Sequence, residues 1–158
     1  MRLTTITLAC ILICLAATDA AAGDGPVLTV TGTAIDPTVS SDPIATVQAT
    51  VDAGTELQYC WTAEPGTFDS PLASYRYGWN LIDPADPNDP GWAVPLTAWD
   101  GSSVCSDMQA FVQGAPTFDV EVRDEADVVS RLTVQIQVIQ AVPTNTRSWT
   151  TVKATFAH

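Results

Sequence analysis

Histidine is nearly absent from this chain: there is one, His158, and it is the last residue. A lone terminal imidazole supplies no Ser-His-Asp arrangement, and a chain end does not hold a base in register with a nucleophile. Cations are scarce as well, six Lys and Arg against 18 Asp and Glu, for a net charge of -12. Such a surface repels phosphate backbones, so nucleic acid is not an expected partner, and the charge itself favours solubility outside the cell. Beyond the N-terminal segment no apolar run approaches the roughly 20 residues a membrane-spanning helix needs, so no membrane insertion is expected after processing. Cysteine is limited to Cys10, Cys14, Cys60 and Cys105. Many carboxylates are present, but any acidic chain offers pairs of them, so a two-carboxylate hydrolase gains no support from their number. An enzyme is not the expected reading.

What the chain does have begins with Met1-Arg2, an apolar segment from Leu3 to Ala17, and the small residues of Thr18-Asp-Ala-Ala-Ala-Gly23. This is the pattern of a secretory signal peptide cut after Ala22. An uncleaved anchor is the alternative, disfavoured because the run is short of about 20 residues and interrupted by threonines. Thr7 and Ile13 stand where a lipoprotein signal before Cys10 or Cys14 needs Leu and a small residue. The expected organisation is a signal peptide over 1–22, one domain over 23–142 and a tail over 143–158, secreted or held at the cell surface. Removal of the leader leaves Cys60 and Cys105, two thiols that are too few for a metal site and that an oxidising compartment is expected to join.

Period-two alternation dominates the rest. Phe118, Val120 and Val122 alternate with Asp119, Glu121 and Arg123, and Leu132, Val134, Ile136 and Val138 alternate with Thr133, Gln135 and Gln137. Such alternation buries one face of a sheet and wets the other, and Asp124 to Asp127 supplies the turn of an antiparallel hairpin. Further strands are expected over 26–35, closed by Asp36-Pro37, over 44–51, and over 57–61. Residues 72–83 alternate again, with Tyr75, Tyr77, Trp79 and Leu81 on one face. The stretch from there to Cys105 contains Pro84, Pro87, Pro90 and Pro95, which do not sit in central strands, so it is expected to be a loop or an edge. Many short strands separated by turn signals point to an all-β antiparallel sandwich. In the tail, Trp149, Val152 and Phe156 share a helical face, capped by Thr146 or Ser148; a last strand is the alternative.

The segment Tyr77-Gly78-Trp79-Asn80-Leu81-Ile82-Asp83-Pro84, followed by Phe111, Gly114, Phe118, Val120, Val122 and Asp124, resembles the signature of PKD-like modules, immunoglobulin-like sandwiches of bacterial extracellular proteins. The resemblance spans about 44–139, with Ile82 and Pro84 replacing two glycines of that signature. It implies a non-catalytic role as spacer, adhesive unit or partner for an extracellular protein or glycan, without fixing the ligand. With Leu57, Tyr59 and Trp61 toward the core, Cys60 faces outward, so its bridge is expected to pin the Cys105 segment to the sheet rather than join two sheets.

Three candidate sites follow. Asp83, Asp86, Asn88 and Asp89 cluster oxygens of the kind Ca²⁺ takes six to eight of, although the spacing is not that of an EF-hand and the prolines splay the side chains; a solvated acidic turn is the plainer expectation. Trp92 and Trp99, in the irregular stretch, suit stacking on a sugar face, against the plainer expectation that each anchors its loop with a buried indole. Trp149, Val152 and Phe156 are candidates for docking of the tail. The preferred function is a secreted non-enzymatic interaction or structural module, with a carbohydrate-binding module using the loop tryptophans as the alternative.

Overall fold

The computed structural model describes residues 25–140. The segment 1–22, expected to be a signal peptide, and the tail residues Trp149, Val152 and Phe156 lie outside the described residues. Eleven strands and no helix are found among those described: β1 (Val27–Gly32), β2 (Ile35–Ser40), β3 (Ala45–Asp52), β4 (Glu56–Leu57), β5 (Tyr59–Glu64), β6 (Leu72–Trp79), β7 (Thr97–Ala98), β8 (Val104–Cys105), β9 (Gln109–Ala110), β10 (Thr117–Asp124) and β11 (Val129–Ile139). They form a four-stranded sheet, β2-β1-β5-β8, and a five-stranded sheet, β3-β11-β10-β6-β7, with β4 and β9 as a small separate pair. The described residues form an all-β, largely antiparallel sandwich. Every pairing is antiparallel except β3 with β11, which is parallel with Leu132 opposite Ala45.

The alternation read from sequence aims the core. Leu28 and Val30 of β1 and Tyr59 and Trp61 of β5 face Phe118, Val120, Val122, Leu132, Val134, Ile136 and Val138 of the other sheet, and all are buried. Aromatic rings fill the centre: Tyr59 stacks on Phe118 at 4.8 Å between centroids, and Trp61 packs against Tyr77 at 5.2 Å. The Tyr59 hydroxyl is buried with no hydrogen-bond partner, and burial pushes its pKa up to about 12. The β10–β11 hairpin forms as expected, with Glu121 opposite Arg131. Asp124 closes its turn by accepting from the backbone N–H of Ala126 and Val128. Cys60 and Cys105 are bonded to each other across directly opposed positions of β5 and β8. Cys60 sits on the outer face between buried Tyr59 and Trp61, so the bridge ties the 97–110 region to one sheet.

Three expectations are corrected. Asp36-Pro37 does not close the first strand: Ala34 takes a left-handed backbone (φ 60°) and turns the chain, and Asp36 and Pro37 continue into β2. Proline is tolerated there because β2 is an edge strand. Leu81 does not extend β6, since Asn80 is left-handed (φ 54°) and ends it after Trp79. Asp119 and Glu121 are not on a wet face: both are about 1% exposed.

Candidate functional site

The burial of Asp119 and Glu121 leads to a cluster of ion pairs on Glu121 and Arg123. Arg76, Arg123 and Arg131 are the only Lys or Arg residues between 25 and 140, and all three converge on Glu121. Arg76 of β6 donates from Nε (3.1 Å) and Nη2 (3.0 Å), Arg123 from Nη2 (3.3 Å), and Arg131 from Nη2. Pairing dictates this, because Arg76 and Arg131 are the direct cross-strand neighbours of Glu121 on either side. Burial would raise the Glu121 pKa, but the hydrogen bonds and charges of Arg76 and Arg131 outweigh it and hold the carboxyl below its usual range. Asp119, one pair along, accepts from the Thr133 hydroxyl at 2.5 Å, yet desolvation wins and its pKa is raised.

The proline-rich stretch completes the site. After the turn at Asn80, the chain makes an excursion and returns along the free edge of β6: Trp79 N–H donates to Gly91 O (3.0 Å), Ala93 N–H to Tyr77 O (2.9 Å), and β7 pairs with Ser74 and Tyr75. Pro84, Pro87, Pro90 and Pro95 thus lie in an edge and its preceding turns, where a missing N–H costs no ladder bond. Close approach requires glycine at 78, because a Cβ there would enter the carbonyl of Gly91. Asp89 is buried and locks the excursion, its Oδ2 accepting from Ile82 and Asp83 N–H (2.8 and 2.7 Å) and its Oδ1 from Gly91 N–H (2.8 Å). Those backbone bonds, led by that from Asp83, lower its pKa despite desolvation. Trp92 lies over Arg76, with the guanidinium carbon 3.9 Å from the ring centroid, and its indole N–H donates to Asp86 O. A guanidinium on an indole face is attracted by the ring quadrupole.

The expected oxygen cluster is therefore distributed among separate turns. Asp83 Oδ1 accepts from Ala85 N–H and Asp86 Oδ1 from Asn88 N–H, while Asp89 is turned inward. Among the described residues no group of three or more Asp, Glu, His or Cys side chains is placed to hold a metal ion. The two loop tryptophans part company. Trp92 is on the outer face with Arg76, whereas Trp99 packs edge-on against core-facing Tyr75 at 5.8 Å. Neighbouring residues of β6 point to opposite faces, so the two indoles do not share one strip. Each anchors its segment.

Beside the buried charges lies a concavity of about 430 Å³, lined by Arg76, Arg123 and residues of the 87–96 stretch. The Arg76, Glu121, Arg123 and Arg131 set was not singled out from the sequence. The available signal was the register of the hairpin, which places Glu121 opposite Arg131, and the position of Arg76 between Tyr75 and Tyr77, which puts it on the face opposite those rings. Chemically the set binds and positions. A guanidinium does not release a proton in proteins, and a carboxyl held ionised has none to give near neutral pH.

No protein-family model matches the chain, and no curated protein matches it. Among solved structures, the soluble domain of PmoD from Methylocystis sp. ATCC 49242 (Rockwell) is similar at 12% identity and a TM-score of 0.36, covering 70% of this chain and 90% of that one. A cohesin module from a family 33 glycoside hydrolase of Clostridium perfringens ATCC13124 is similar at 15% identity and a TM-score of 0.33, covering 72% and 98%.

Proposed function

We propose that this chain is an exported, PKD-like domain that works without catalysis as a protein-interaction or structural module outside the cell. The observation that carries the reading is the way the 80–96 stretch is fixed to the sheet edge by Asp89, Trp92 and the Arg76 cluster. A loop held on a rigid scaffold is the usual place for recognition, and this one carries Ile82 at 85% and Leu96 at 50% exposure beside a formed concavity. The Cys60–Cys105 bond fits an oxidising compartment. Intact mass of protein recovered from the medium should start at Gly23.

The test uses the immobilised full chain against the extracellular proteins of its source and, separately, purified polysaccharides. Saturable protein binding that is lost in an Ile82→Asp, Leu96→Asp variant of unchanged circular dichroism is expected. Binding confined to polysaccharide and abolished by Trp92→Ala would instead favour a carbohydrate-binding module. Absence of saturable binding to either would leave a spacer role alone.

A further inference from the structure

We infer that the concavity over Arg76 and Arg123 is a binding site for a carboxylate carried on a small apolar group, the chemistry presented by the C-terminal apolar residue of a protein partner. The inference rests on the interaction-module reading and gives it a contact point.

Charge comes first. Three guanidiniums stand against Glu121, and Asp89, on the cleft wall, directs both its carboxylate oxygens to backbone N–H groups. Of the residues that line the cleft, Arg76 and Arg123 are cationic and Asp89 is the one carboxylate, which leaves one positive charge in excess among them. Asp127 pairs with Nη1 of Arg123 at 3.3 Å but is 83% exposed, where solvent screening makes an ion pair weak. Asp119 and Glu121 do not line the cleft. One surplus positive charge matches a carboxylate better than a phosphate dianion.

Donors come next. Arg76 spends Nε and Nη2 on Glu121, and its Nη1 makes no hydrogen bond to any described residue. Arg76 is about 5% exposed, its ring stack on Trp92 fixes the guanidinium plane, and it lines the cleft. A buried guanidinium fixed in orientation binds a planar anion with little ordering cost. Arg123, half-buried at the mouth, adds a second donor group.

The walls decide what carries the carboxylate. Besides the charged groups, the space is lined by Trp92, Val94, Pro95, Leu96, Pro87 and Asn88. Such a lining accepts an aliphatic or small aromatic side chain. A sugar acid would bring several hydroxyls to a wall with one amide to receive them, leaving polar groups unpaired.

The experiment is a titration of the ¹⁵N-labelled full chain with acetyl-Gly-Gly-Leu as the free acid, with the same peptide as its C-terminal amide, and with glucuronate, following the Trp92 indole N–H and the Arg123 Nε–H. The acid should give saturable shifts at millimolar concentration, the amide and glucuronate none. Arg123→Gln, which leaves the Arg76–Glu121 pair in place, should weaken the acid about tenfold, the effect of one hydrogen bond to a charged group. Equal shifts from acid and amide, glucuronate binding as tightly as the peptide, or no saturation by the acid would each overturn the inference. Protein capture that survives Arg123→Gln and is lost with Ile82→Asp, Leu96→Asp would show that the interaction reading holds while this site does not.

Discussion

Replacing Glu121 with Ala removes the one carboxylate that holds three guanidiniums. Its side chain is 1% exposed, and Arg76, the main donor, is 7% exposed at its side chain. Deleting one partner of a buried ion pair leaves the other charged, desolvated and unpaired, at a cost of about 3–5 kcal/mol. Arg123 is 31% exposed, and its share adds little because water screens it. A domain of this size shifts its melting temperature by roughly 3–6 °C per kcal/mol, so a drop on the order of 10–30 °C is expected. Urea unfolding followed by circular dichroism gives the free energy. The double variant Arg76→Met, Glu121→Met should recover only the part of the loss that Arg76 causes, because Arg131, 13% exposed, keeps its charge without the Glu121 carboxylate. The pH dependence has a definite sign. The folded Glu121 carboxyl is held below its ordinary range, so its contribution is present above about pH 4.3 and is lost as pH falls through the lower folded value. The gap between wild type and Glu121→Ala should therefore close in acid. A cost under about 1 kcal/mol at neutral pH would refute the placement of Glu121 as a buried hub.

Gly78→Ala drives a Cβ into the Gly91 carbonyl, a backbone clash that should cost about 1–3 kcal/mol in a urea melt and detach the 91–93 segment, seen as a changed Trp92 indole resonance. Asp119→Asn keeps an oxygen for the Thr133 hydroxyl and removes a charge that burial disfavours. Because the folded pKa of Asp119 is raised, the native carboxyl loses stability as pH rises through that range, so the variant should melt no lower than wild type at neutral pH; a clear drop would contradict the assignment. Reducing Cys60–Cys105, which closes a separation of 45 residues, should cost about 3–4 kcal/mol in the chain-entropy account, measured by melting with and without reductant.

The sandwich was legible because its strongest signals are local. Alternation through 118–138 gave both strands, their faces and their pairing, and the outward position of Cys60 followed from buried Tyr59 and Trp61 on either side. The parallel pairing of β3 with β11 was not legible, since alternation says which face a strand buries and not which strand it lies beside. The same limit hid the site. Asp119 and Glu121 read as solvent-facing because their neighbours in sequence alternate cleanly. What buries Glu121 includes Arg76, 45 residues earlier, with Trp92 stacked upon it. Asp89 likewise reads as one of several loop carboxylates, and only the chain's return to β6 shows that its oxygens close the turn.

The central claim is that the 80–96 stretch is fixed to the sheet edge rather than loosely attached, and amide hydrogen exchange tests it most directly. The N–H groups of Ile82, Asp83 and Gly91 are bonded to the Asp89 carboxylate, and that of Ala93 to Tyr77 O. They should exchange at least about 100-fold more slowly than in an unstructured chain, and the protection should be lost together in Gly78→Ala. Exchange of these four amides within a few-fold of the unstructured rate in the wild-type protein would contradict the account.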